Sequence, residues 1–221
     1  MPKPAATGRP NQRHRTRKDL LAAAARLLKQ GRSPTMDDIA AEAMVSRATA
    51  YRYFPTVEHL LVEAPIDDAA PDPAALFAGD RSTDPVTRVD KAEAALHEMS
   101  YRNERQLRIM LAAALQRSVS DDRGGDATPL RQNRRVPLIE AALAPARGQL
   151  DPKAYRPLVA SLSLIFGLES MIVFQDVLRL DAKQARRMKQ WAIRALVEAA
   201  MKDSTAAHTA GTREPHKAVN R

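Results

Sequence analysis

The chain has no cysteine, so neither a disulfide framework nor thiolate chemistry is open to it. Its five histidines, at 14, 59, 97, 208 and 216, share no ligand-like spacing with one another or with paired acids, so no metal site is expected. No glycine-rich phosphate loop and no nucleophile elbow occurs. Without a catalytic constellation or a cofactor motif, an enzyme is not expected. No apolar h-region opens the sequence, which argues against secretion and for a cytoplasmic protein. No repeat and no alternating strand pattern is present, which leaves an all-α chain.

Acid is missing from one place. Residues 1–18 carry Lys3, Arg9, Arg13, Arg15, Arg17 and Lys18 and no acidic residue, supplying six of the formal net charge of +9. A basic arm beside a folded domain suits a polyanion; the rival reading is a solvating tail. Pro2, Pro4, Gly8 and Pro10 punctuate it, so residues 1–16 are expected to be disordered. The chain has 221 residues, enough for one large or two small domains.

The most specific stretch is TMDDIAAEAMVSRATAYRYF, residues 35–54. Thr35 can N-cap a short helix, with Asp38 three residues on as the capping-box acid. A four-residue turn, Ala43-Met44-Val45-Ser46, follows. Ser46 can cap a second helix, because its hydroxyl can accept from the free N–H groups of the first turn. Val45, Ala50 and Phe54 fall on the side that faces the first helix. Arg47, Ala48, Thr49, Tyr51, Arg52 and Tyr53 are left for a partner. Arginine reads guanine edges bidentately, small residues permit close approach, and tyrosine hydroxyls reach phosphates. This is a helix-turn-helix plan suited to a DNA major groove. Helix pairs with short turns also occur in bundles that never touch DNA; the Y-R-Y-F-P ending and the basic arm favour DNA.

With the preceding helix, DLLAAAARLL from Asp19, these motifs resemble the DNA-binding domain of the TetR family of bacterial repressors over about residues 17–64. The resemblance implies base contacts from Arg47, Ala48 and Thr49. It implies backbone or base contacts from Tyr51 and Tyr53, and a phosphate contact near Thr35. Ser46 and Arg52 complete the expected DNA-facing set, with Arg13, Arg15 and Arg17 from the arm reaching phosphates or a minor groove. Two positions depart from the family pattern. Met44 stands where glycine is usual, so the turn either holds a non-glycine residue at a left-handed φ or differs locally. Val57 stands where a lysine often provides a phosphate contact.

The remaining chain divides by its breakers. A first helix is expected from Arg17 to Lys29, with Leu20, Leu21, Ala24, Leu27 and Leu28 as its stripe and Gly31 as its end. A short helix opens at Pro55-Thr56, and Pro65 should stop it. Residues 65–83 read as an acidic, proline-broken linker, with one helical turn at Ala74–Phe77. Residues 84–203 read as a helical domain and residues 204–221 as a disordered tail. Asp84 caps a helix with Pro85 at its first position. A polar loop runs from Ser118 to Thr128, and a helix follows from about Leu130. Asp151-Pro152 opens the most apolar helix, over about 154–179. Polar residues interrupt it and no eighteen-residue apolar run exists, so a buried helix is favoured over a membrane span. Asp181 caps the last helix with Gln184 as reciprocal partner. Its expected stripe is Ala185, Met188, Ala192, Ala195, Leu196 and Ala199, with Trp191 at the border.

The resemblance implies a homodimer built from the last two helices of each subunit. The interface residues on this reading are Val173, Val177, Met188, Trp191, Ala195, Leu196 and Ala199. It also implies an effector pocket in the second domain. By periodicity Met99, Met110, Leu111, Phe166, Met171 and Phe174 can face that interior, or simply pack the core. Glu169 is costly in so apolar a helix unless paired or wet. It is either half of an ion pair with Arg131, Arg134 or Arg135, or the polar end of the cavity. The expected function is a sequence-specific repressor on an inverted-repeat operator of double-stranded DNA, released by a small apolar ligand. The rival is a helical scaffold whose arm touches nucleic acid or membrane nonspecifically.

Overall fold

The computed structural model of the protein describes residues 8–119 and 132–211. The start of the basic arm, most of the Ser118–Thr128 loop, Leu130, Arg131 and the end of the expected tail lie outside the described residues. In chain order the helices are α1 (Gly8–Lys29), α2 (Met36–Glu42), α3 (Arg47–Tyr53), α4 (Val57–Ala69), α5 (Pro73–Leu76), α6 (Pro85–Arg102), α7 (Glu104–Val119), α8 (Arg135–Leu143), α9 (Pro152–Ile165), α10 (Leu168–Ile172) and α11 (Ala182–Gly211). A 3-10 segment covers Ala144–Gln149 and a π-helical segment Val173–Val177. The described residues contain no strand, so the all-α expectation holds.

The chain forms two compact units, one from residues 1–70 and 105–123, the other from 71–104 and 124–221, each as far as described. Residues 105–119 therefore group with the first unit, not with the remainder of the segment 84–203 read as one domain.

In the first unit, α1 buries Leu20, Leu21, Ala24 and Leu27 against Ile39 and Ala40 of α2, Ala50 of α3, Phe54, and Leu60 and Ala64 of α4. These are the apolar positions that the 3.6-residue period selects. Gly31, at φ +73°, ends the chain's first helix as expected. Two boundaries differ from expectation. Residues 8–16 are helical and continue into α1, because Pro10 falls in the first turn, where an N–H has no intrahelical acceptor. Pro65 lies inside α4 and does not stop it. Its flanking residues Ala64 and Ile66 are both fully buried, and their burial outweighs the one ladder bond lost.

The acids of the expected linker are used locally. Asp68 pairs with Lys29 at 2.8 Å, Asp72 caps α5, and Asp80 holds Lys91 at 2.7 Å. In the second unit Asp84 accepts from Thr87 N at 2.8 Å and Pro85 opens α6, as expected. Val89, Ala92 and Leu96 of α6 pack on α8, which buries Leu138, Ile139, Ala142 and Leu143. α8 begins at Arg135, later than the expected Leu130, and its last carbonyls are satisfied by a buried side chain. Arg88 donates to Ala142 O at 2.9 Å and Ala141 O at 3.0 Å, lying 4.1 Å from the Phe77 ring centroid.

The apolar helix expected over 154–179 is broken. α9 ends at Ile165, Gly167 takes φ +91°, and the segment Leu168–Val177 leaves at 50° to α9. Arg135 fills the break. Its Nη1 donates to Ser163 O at 2.9 Å and its Nη2 to Glu169 Oε2 at 2.6 Å. Ser170 Oγ lies 2.7 Å from Ile165 O and 2.9 Å from Gly167 O, so a side-chain donor meets carbonyls at the break. No single helix among the described residues is long and apolar enough to cross a membrane.

The Asp181–Gln184 capping box of α11 is present, with Gln184 N to Asp181 Oδ1 at 2.7 Å and Asp181 N to Gln184 Oε1 at 2.9 Å. α11 continues to Gly211, past the residue where a tail was expected, because Ser204 is buried and accepts from Asp151 N at 2.9 Å. The buried line of α11 is Ala185, Lys189, Ile193, Val197, Ala200 and Ser204, which shares only Ala185 with the stripe read from the sequence. Lys189 explains the shift. Its Nζ donates to the fully buried Glu93 at 2.9 Å and reaches His97 Nδ1 at 3.4 Å, while Arg186 Nε stands 3.3 Å from the second Glu93 oxygen. Burial pushes the Glu93 carboxyl up and the Lys189 amine down, and their mutual attraction opposes both.

Candidate nucleic-acid interface

α2 is set by its cap. Thr35 Oγ1 accepts from Asp38 N at 3.3 Å, and Asp38 Oδ2 accepts from Thr35 N at 2.8 Å. The backbone bond from Thr35 holds the Asp38 carboxyl below its usual range. The Thr35 hydroxyl also bonds Asp38 Oδ2 at 2.7 Å, so the expected phosphate contact sits on a group already engaged in capping.

The turn after α2 closes as a Schellman motif. Val45 N donates to Ala40 O at 2.9 Å and Met44 N to Ala41 O at 3.0 Å. That motif needs a left-handed residue at Met44, and Met44 sits at φ +55° with its side chain 92% exposed. Of the two alternatives read from the sequence, the turn keeps its geometry and methionine takes the strained conformation.

Ser46 caps α3, accepting from Thr49 N at 3.1 Å, with its hydroxyl 2.9 Å from Thr49 Oγ1. Ala50 and Phe54 are buried and hold α3 to the unit. Arg47, Ala48, Tyr51 and Arg52 are exposed, and Thr49 and Tyr53 half-buried. This is the outward face that the spacing selects. The Arg47 guanidinium carbon lies 5.5 Å from the Tyr51 ring centroid, and that of Arg52 5.5 Å from Tyr53. The first α3 residue also meets an acid that the sequence reading passed over: Asp37 Oδ2 accepts from Arg47 Nη1 at 3.1 Å. A ten-residue separation across a turn carries no periodic signal that would have found it.

Arg13 and Arg15 are exposed on α1. Arg17, expected as a DNA contact, has partners within the unit. It makes paired hydrogen bonds to Glu63 and lies 4.5 Å from the Phe54 ring centroid.

The expected effector residues are divided between the two units. Met99, Phe166 and Met171 are buried in the second unit and Phe174 is half-buried there, whereas Met110 and Leu111 belong to α7, which groups with the first unit. Glu169 pairs with Arg135 at 2.6 Å and is 41% exposed, so of the two roles read for it the ion pair is present. An open groove of about 530 Å³ lies elsewhere, lined by Val136, Glu140, Arg147, Tyr155 and Val159 among others. Among the described residues no cluster of acids and histidines suits a metal ion.

Residues 20–64, from α1 to within α4, match the family model for bacterial regulatory proteins of the tetR family. No curated protein and no solved structure matches the chain. On the match and the helix-turn-helix geometry that it covers, residues 20–64 form a DNA-binding domain of the type found in bacterial regulatory proteins of the tetR family.

Proposed function

We propose that the protein is a repressor that binds an inverted repeat as a two-fold dimer and leaves it when a small apolar ligand binds the second unit. The observation that carries the DNA half is the division of α3. Ala50 and the adjoining Phe54 are buried while Arg47, Ala48, Tyr51 and Arg52 face outward, the arrangement a groove-reading helix needs. A two-fold dimer would set two such helices about 34–36 Å, or a multiple, apart on the duplex.

The dimer is supported by surface left uncovered. Val173, Val177, Met188 and Trp191 are exposed large apolar residues, with Ala195 and Ala199 exposed along α11. Exposed large apolar residues of this kind suit an interaction surface. The ligand half rests on family likeness and on the adaptable apolar wall that Met99, Phe166, Met171 and Phe174 could form. On this reading the protein works at DNA in the cytoplasm, with no enzymatic step and no membrane.

The test is a selection of bound duplexes from a random pool, repeated with small apolar candidates present. Enrichment of one inverted repeat, lost on adding a candidate, is the expected result. Equal, salt-dependent binding to every duplex would replace this reading with a nonspecific binder acting through its basic arm.

A further inference from the structure

Asp37 stands across the helix-turn-helix from the first residue of α3. Its Oδ2 accepts from Arg47 Nη1 at 3.1 Å, and the guanidinium is flanked by the Tyr51 ring at 5.5 Å. The carboxylate does not cap α2, since Thr35 and Asp38 form that box. It is not buried either: the Asp37 and Arg47 side chains are 60% and 64% exposed. Next to a duplex such an acid is repelled by the phosphates. It weakens binding in general, and its place in the first turn of α2 favours that helix end; what its bond to Arg47 adds lies in which complexes form.

We propose that Asp37 is a specificity-determining positioning residue for Arg47, holding its guanidinium back from phosphate and yielding it to a guanine edge. This rests on the reading of α3 as the major-groove helix. The argument is one of charge. A phosphate that takes Arg47 from Asp37 brings its own negative charge against the carboxylate. A guanine edge offers two acceptors, O6 and N7, and no net charge. The exchange is therefore penalised at the backbone and not at the base. The ion pair is exposed and so weak in water, which leaves Arg47 available when two acceptors are offered.

The test measures Kd at one fixed salt concentration for the full chain, on the duplex recovered by selection, on its single-base-pair variants and on a random duplex. The proteins are the parent, Asp37→Asn, Asp37→Glu, Arg47→Ala and the double variant Asp37→Asn with Arg47→Ala. Asp37→Asn should tighten binding to random duplex more than to the selected one. The specificity ratio should fall at least about fivefold, at the base pair that Arg47→Ala identifies. Asp37→Glu should restore most of the ratio. In the Arg47→Ala background, Asp37→Asn should move both duplexes equally.

An equal shift on both duplexes with Arg47 present would overturn the proposal, since Asp37 would then be a plain negative charge. A change of ratio that persists without Arg47 would overturn it too. If Arg47→Ala alone leaves the ratio untouched, α3 does not read through this arginine. The base-reading assignment then fails and takes the proposal with it, an outcome visible without any Asp37 variant.

Discussion

Arg17 and Glu63 meet through two parallel hydrogen bonds, Nη1 to Oε1 and Nη2 to Oε2, each 2.6 Å long. The same guanidinium lies 4.5 Å from the Phe54 ring centroid, at the C-terminal cap of α3. One side chain of α1 thus ties the end of α3 to α4.

Arg17→Ala should destabilise the protein by about 1–3 kcal/mol, because a charge-assisted, forked pair is lost together with a cation–ring contact. Urea unfolding measures this. The salt slope of DNA binding should stay as it is, whereas Arg13→Ala with Arg15→Ala should flatten it by about 0.9 for each phosphate contact removed. A flattened slope in Arg17→Ala would return Arg17 to the DNA contacts.

Met44→Gly should stabilise the fold. A left-handed φ costs an L-residue about 1–2 kcal/mol, and glycine's freer unfolded chain returns about 0.5–1 kcal/mol of that. A net gain of about 0.5–1 kcal/mol is expected in urea midpoints. A loss would mean that the exposed methionine makes a contact worth more than the strain.

His97 gives the fold a pH dependence of defined sign. Burial first, and then the charges of Lys189 and Arg186, lower its pKa from 6.5 to about 4. The folded state therefore holds the neutral ring. Above pH 6.5 folded and unfolded chains are both neutral there and the group contributes nothing. As pH falls from 6.5 towards 4 the unfolded chain takes a proton that the fold refuses, so stability drops, by about 3 kcal/mol at most. The raised carboxyl of Glu93 acts in the opposite direction, so the readout is the difference between the parent and His97→Gln. That difference should change across this window and level off at either end.

Trp191 is the only tryptophan and is 72% exposed on the described chain. In the proposed dimer it would be covered. Its emission should be blue-shifted at micromolar concentration and move to the red on dilution. Leu196→Glu should produce the red-shifted spectrum without dilution and abolish operator binding, because a charge would be buried without a partner. Emission independent of both concentration and Leu196→Glu would place the dimer face elsewhere.

Glu169→Gln separates the two roles open to that residue. At 41% exposure its bond to Arg135 should be worth under about 1 kcal/mol, so folding and operator binding should survive. Loss of the effector response alone would put Glu169 in the ligand site. An intact response would leave it a partner of Arg135 and nothing more.

The parts legible in the sequence were those encoded by short-range chemistry. The caps at Thr35, Ser46, Asp84 and Asp181 each depend on a side chain reaching a backbone group two or three residues away. The outward face of α3 followed from the same local spacing. What failed depended on distant groups. The buried line of α11 differs from the periodic apolar stripe because Glu93, far back in the chain, makes Lys189 an interior residue. The break at Gly167 was hidden by apolar composition on both sides of it, and the Arg135 bonds that bridge it come from a distant helix. Pro65 was read as a stop because its cost is local and its compensation, the burial of Ile66, is not.

The meeting of Arg135 and Gly167 also constrains the order in which substitutions can accumulate. A side chain at 167 would meet Arg135 Nη2 at 3.3 Å and would in addition have to adopt φ +91°. Removing the arginine first lifts only the crowding; the backbone still rejects every other residue. Position 135 can therefore drift while 167 cannot. A library randomised at both should return glycine at 167 in every folded clone, paired with a variety of residues at 135.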